Sequence, residues 1–188
     1  MEHSTIIGGF GGQGILFAGQ VLAQAALIEG RAVSWMPSYG PEMRGGTASC
    51  TIVIADHPIG SPIADVADSV VALNPPSMAR YEPLLAPGGL LVVNASLIEA
   101  EPGRGDVEVL TLPCTELARA AGDGRLVGVV ALGGLLARRP IVRPESMRQA
   151  LAELVGSHHP ELLDADLAAF TRGYERAGFA AVAAAVQL

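Results

Sequence analysis

The chain has 188 residues, half of them hydrophobic, and a net charge of −7 at pH 7. All 12 basic residues are arginine, which excludes lysine Schiff-base chemistry and a P-loop, whose lysine reaches the phosphates. The acidic balance argues against nucleic acid as a main partner, so any anion must be held by arginine, backbone N–H groups or a helix end. The longest apolar run, near 126–137, is too short and glycine-rich for a membrane span. Met1-Glu2-His3-Ser4 lacks the regions of a signal peptide, so a cytoplasmic protein is expected. Cys50 and Cys114 lie far apart without a C-x-x-C, and cannot alone ligate a four-cysteine cluster; each reads as a small buried residue. His3, His57, His158 and His159 show no metal-ligand spacing, and no metal site is expected.

The organising stretch is Ile6-Ile7-Gly8-Gly9-Phe10-Gly11-Gly12-Gln13-Gly14-Ile15. An apolar strand, about 5–8, enters a glycine cluster and a helix, about 14–29, leaves it. Glycine allows a ligand or another backbone to approach, and a helix start attracts phosphate or carboxylate. Gly9, Gly11 and Gly14 form G-x-G-x-x-G, but the acidic residue expected at the end of the next strand, about 32–36, is missing. That argues against NAD or FAD and leaves both a different phosphate ligand and a tight turn without ligand. Strand, helix and strand within about 30 residues predict a βαβ unit with a parallel strand pair.

Pro37-Ser38-Tyr39-Gly40-Pro41-Glu42-Met43-Arg44-Gly45-Gly46-Thr47 reads as a shaped loop at the carboxyl edge of the sheet. Strands are expected at about 48–55, 68–74, 90–94 and 106–112. Asn74 and Asn94, the only asparagines, fall at strand ends, where turn capping suffices to explain them; Asn74 is placed to cap a short helix, about 77–85. Gly122-Asp123-Gly124 opens like a thiamine-diphosphate motif, but no asparagine follows Asn94 to complete it, so it reads as a turn. An apolar helix over 126–138 is expected, packed between layers or at a subunit contact, then a helix over 144–155 and terminal helices from 160, interrupted at Gly173 and Gly178. The fold class is α/β: three α/β/α layers, a mostly parallel sheet with a Rossmann-like first βαβ unit, and a helical C-terminus. The whole chain, 1–188, reads as a single domain, with helices 144–188 packing on it.

Taken together, Gly8–Gly14, Pro37–Gly46, Asp68–Asn74, Ala131-Leu132-Gly133 and Ala169–Tyr174 resemble the gamma subunit of 2-oxoacid:ferredoxin oxidoreductases. The loop wording is most similar to the 2-oxoglutarate branch, with pyruvate and branched-chain enzymes next. The resemblance implies a hetero-oligomeric oxidoreductase that converts a 2-oxoacid and coenzyme A to acyl-CoA and CO2, with electrons passing to ferredoxin. It implies thiamine diphosphate, Mg2+ and iron–sulfur clusters in alpha and beta subunits and, where present, a ferredoxin-like delta subunit, with no catalytic residue in this chain. It places coenzyme A, or a partner subunit, against Gly11, Gly12, Gln13, Gly14, Ile15, Arg44 and Asn74. Gly128 stands where relatives often carry asparagine, Asp166 lies near a second position where they often do, and Gln20 stands where some coenzyme A-binding relatives carry a basic residue. Two other readings remain: a stand-alone nucleotide-binding protein, and an assembly subunit whose glycine turn meets only protein.

Overall fold

The computed structural model describes residues 1–40, 46–62, 64–156 and 159–186, with side chains of the last helix described to residue 178. Six strands form one sheet: β1 (Glu2–Phe10), β2 (Ala32–Tyr39), β3 (Thr47–Ala55), β4 (Ala67–Ala72), β5 (Leu85–Asn94) and β6 (Glu108–Leu112), in the order β2-β3-β1-β4-β5-β6. The β1–β4, β4–β5 and β5–β6 pairs are parallel, while β3 runs antiparallel to both β1 and β2. Five strands therefore point one way and β3 opposes them.

Helix α1 (Ile15–Ile28) connects β1 to β2, ending at Gly30 with φ 75°. β1 and β2 are parallel in direction but not neighbours, because β3 lies between them. The βαβ unit expected from the sequence thus lacks its adjacent parallel pair: the segment after β2 turns back as a hairpin and fills the gap. β2 also continues through Pro37, Ser38 and Tyr39, which were expected to be loop. Pro37 pairs opposite Cys50 on an edge strand, where a missing N–H is tolerated. Residues 41–45, including Glu42, Met43 and Arg44, lie outside the described residues.

The two sheet faces are covered unequally. On one face α1 and α4 (Val127–Arg138) pack with α3 (Cys114–Ala121), α5 (Pro144–Leu151) and α6 (Pro160–Val186). The other face carries α2 (Pro75–Tyr81) and a following 3-10 turn, packed over Ile6, Val70, Ala72, Leu91 and Val93. Val70 and Val71 of β4, and Leu90 to Val93 of β5, are buried on both sides. That is why these strands read as unbroken apolar runs rather than alternating ones.

α6 is one continuous helix, not helices broken at glycines. A Cβ at Gly173 would strike the carbonyl oxygen of Val130, and one at Gly133 would strike that of Phe170. The two glycines let α4 and α6 meet backbone to backbone, so Gly173 serves helix packing instead of a helix stop. Asp166 of α6 is only 4% exposed, and its Oδ1 has no hydrogen-bond partner among the described residues. Burial, reinforced by nearby Asp123 and opposed by Arg125, pushes its carboxyl up to about 6.

Three outcomes follow from this interior. Gly173→Ala should destabilise the protein by about 2–3 kcal/mol through overpacking. Gly178→Ala, whose Cβ would meet nothing within 4 Å, should stabilise it by about 0.5–1 kcal/mol; urea unfolding midpoints check both signs. Asp166 binds its proton more tightly folded than at its ordinary value of 3.8. Its contribution is therefore fully present below about pH 4 and lost as pH rises through about 6, a loss of order 1–3 kcal/mol. Asp166→Asn should remove that slope from a plot of unfolding free energy against pH.

Candidate functional site

The glycine turn sits where β1 leaves the sheet. Gly11 N–H extends the β1–β3 ladder by donating to Gly46 O at 3.0 Å, and Gln13 N–H donates to Phe10 O at 3.2 Å. The Gln13 side chain turns inward: its Oε1 accepts from Phe10 N–H at 2.7 Å and its Nε2 donates to Leu73 O at 3.2 Å. Gln13 thereby ties the turn to the end of β4. Gly14 caps α1 with φ 70°, and no side chain caps the helix. No acidic residue stands in the first turn of α1. The N–H groups of Ile15, Leu16 and Phe17 have no intrahelical partner by geometry. With those of Gly12 and Gly14, which have no backbone partner among the described residues, they form an open positive helix end.

That helix end faces a cleft of about 600 Å³. Gly11, Gly12, Gly14 and Ile15 line one side, and the β2–β3 neck at Tyr39, Gly40, Gly46 and Thr47 lines another. Gly12 has φ 95° and open space where a Cβ would stand, so the backbone itself is the surface there. Tyr39 is 71% exposed at the rim.

Arg125 completes the lining, and the sequence reading did not single it out. It lies on the 3-10 turn Gly124–Leu126, capped by Asp123, which accepts from Arg125 N–H at 2.8 Å. The guanidinium also donates to Asp123, from Nε at 2.9 Å and Nη2 at 2.6 Å. This pairing holds the Asp123 carboxyl below its ordinary range and raises the arginine. Gly122-Asp123-Gly124 is the turn expected from the sequence, and the arginine immediately after it was the available signal. The turn is locked to the glycine cluster: a Cβ on Gly14 would strike Arg125 O, and Gly128 N–H donates to Gln13 O at 3.0 Å.

The structure thus brings Gly11, Gly12, Gly14 and Ile15 together around one cleft. Gln13 supports them from behind, with its side chain not lining the cleft. Asn74 is fully buried, accepts from Ser77 N–H at 2.9 Å as the cap of α2, and does not line the cleft. Arg44 falls among the undescribed residues. A second cleft of about 300 Å³ shares Gly14, Phe17 and Arg125 with the first and is also lined by Asp166. Burial pushes the Cys50 and Cys114 thiols up to about 12, so neither is a ready thiolate. Among the described residues, no group of three or more His, Cys, Asp or Glu could hold a metal ion. Among the described residues, no helix is long and apolar enough to cross a membrane.

The profile of the family described as pyruvate ferredoxin/flavodoxin oxidoreductase matches residues 4–176. Ketoisovalerate oxidoreductase subunit VorA of Methanothermobacter thermautotrophicus is 44% identical over 136 residues, covering 72% of this chain but only 28% of that subunit. 2-Oxoglutarate synthase subunit KorC of Methanocaldococcus jannaschii is 34% identical over 180 residues, 93% of this chain and 94% of its own. Among solved structures, the keto/oxoacid ferredoxin oxidoreductase gamma subunit of Geobacter sulfurreducens superposes with TM-score 0.80 at 28% identity, over 93% of this chain and 98% of its own. The 2-oxoglutarate:ferredoxin oxidoreductase of Magnetococcus marinus, solved with 2-oxoglutarate, coenzyme A and succinyl-CoA bound, shares the fold with TM-score 0.84 at 23% identity, over 95% of this chain and 31% of that one. The chain belongs to the pyruvate ferredoxin/flavodoxin oxidoreductase family, as a gamma-type subunit.

Proposed function

We propose that this chain, acting as one domain, is the subunit of a cytoplasmic complex that receives coenzyme A during oxidative decarboxylation of a 2-oxoacid. In the overall reaction the carboxylate leaves as CO2, the acyl carbon forms a thioester with the coenzyme A sulfur, and two electrons pass to ferredoxin. The 2-oxoacid is of the 2-oxoglutarate or branched-chain class, the classes for which KorC and VorA are named. Alpha and beta partners, and a delta chain where present, hold thiamine diphosphate, Mg2+ and the iron–sulfur clusters. Among the described residues both thiols are buried and no metal-ligand cluster assembles, which supports placing the metal groups in the partner chains.

One observation carries the coenzyme A reading: unpaired N–H groups at an uncapped helix N-terminus open onto a cleft with an arginine on its rim. Such donors match a pyrophosphate, and Arg125 adds a fork-shaped cation. The Magnetococcus enzyme, which shares the fold, binds coenzyme A, and that agrees with the assignment. Within this reading Gly12, Gly14 and Ile15 touch phosphate, while Gly11 and Gln13 hold the turn. Arg44 is offered as a further contact to coenzyme A or to a partner chain. Asn74 acts through the α2 cap.

Gly12→Asp in the assembled complex should raise KM for coenzyme A about tenfold or more and leave KM for the 2-oxoacid unchanged. The Asn variant imposes similar backbone strain without the charge and should raise it far less. Arg125→Ala should raise the same KM about three- to tenfold. Steady-state kinetics on complexes of verified stoichiometry check these values. Intact assembly with an unchanged coenzyme A KM would leave the chain as an assembly subunit alone. Rates with 2-oxoglutarate against 2-oxoisovalerate assign the substrate.

A further inference from the structure

The second cleft is chemically unlike the first. Its walls include Phe17, Leu126, Leu154, Val155 and Leu162, and its polar residues include Asp166. Asp166 is more than nine-tenths buried, yet Oδ1 has no partner among the described residues. A carboxylate withdrawn from water and left unbonded is costly unless something donates to it. The nearest cation, Arg125, is already engaged by Asp123. His159, which also lines the cleft, is exposed and pairs with Glu161.

The two clefts adjoin, because Gly14, Phe17 and Arg125 line both. A ligand with phosphates on the helix end would therefore lead past Arg125 and its partner Asp123 into a largely apolar slot where Asp166 offers an acceptor without a partner among the described residues. A planar base bearing an exocyclic amine fits that description: aromatic and aliphatic walls cover its faces, and the carboxylate takes the amine hydrogen. Resting on the coenzyme A reading, we infer that the second cleft is the adenine subsite and that Asp166 accepts a hydrogen bond from the adenine 6-amino group. Asp166 is then a specificity-determining residue that selects the base, remote from the reacting sulfur.

The test replaces the amine by an oxygen. Coenzyme A and its hypoxanthine analogue differ at that position, where the analogue presents an acceptor to an acceptor. With the assembled complex at pH 8, where Asp166 is ionised, kcat/KM should favour coenzyme A over the analogue by about tenfold or more. Asp166→Asn should keep kcat/KM for coenzyme A within about threefold, because its amide oxygen still accepts from the amine. By turning its amide, the same side chain can also pair hypoxanthine, so the preference should fall below about threefold. Asp166→Leu should lower kcat/KM for coenzyme A itself. Equal use of both compounds by the unaltered complex, or a preference that survives in Asp166→Asn, would overturn the inference. Either result would leave the phosphate site intact if Gly12→Asp still raises the coenzyme A KM. If Gly12→Asp has no effect, the coenzyme A reading itself falls.

Discussion

The cleft depends on one backbone interlock. Gly14 turns into α1 with φ 70°, and the carbonyl of Arg125 lies where its Cβ would be. Gly128 N–H donates to Gln13 O, and a Cβ on Gly128 would press on Gly14 O. The start of α4 is thus seated on the glycine turn main chain to main chain. No flexible side chain intervenes to absorb error. This contact sets Arg125 over the helix end, sets Asp123 behind Arg125, and places α4 where α6 can cross it at Gly133 and Gly173. Removing the small residues at any of these points would move the site as well as loosen the core.

Much of this was legible in the sequence, and the legible parts share a cause. The glycine turn, the strand before it and the helix after it follow from local rules: apolar runs, φ-permissive residues and helical periodicity. The Asn74 cap and the Asp123 turn are local too, and both were read correctly. The hairpin of β2 and β3 was harder. Pro37 and the glycines around it look like loop, and only the position at the sheet edge makes Pro37 acceptable in a strand. The insertion of β3 between β1 and β2 is a long-range choice that no local pattern encodes. Gly173 failed for the opposite reason. Glycine in a helix reads as a stop until the partner helix that needs the space is known.

Arg125 shows the same limit within the site. Its sequence context is that of a solvent-exposed turn, and its side chain is largely exposed. What makes it part of the site is packing between segments more than 100 residues apart. Gln13 moved the other way. It was expected to meet coenzyme A or a partner subunit, but two hydrogen bonds spend its amide on the strand ends. The turn is stiff because of it, and a stiff turn holds its free N–H groups in place before any anion arrives.

An acidic chain without lysine has a particular way of binding phosphate. Arg125 is paired with Asp123, so its charge is partly neutralised before a ligand comes. The backbone donors of Gly12, Gly14 and the first turn of α1 carry no counter-ion, and none of these residues brings an acid to the helix end. They remain available whatever the surrounding side chains do. In the proposed coenzyme A reading, most of the recognition rests on main-chain geometry, with arginine trimming the local field instead of supplying it. This explains how the site sits in a protein of net charge −7. The distribution of charge near the helix end decides the outcome, and the overall balance of the chain does not. Asp166 lines only the second cleft, whereas the main chain of Gly12 and Ile15 lines only the first, so the buried carboxyl does not share a wall with those donors.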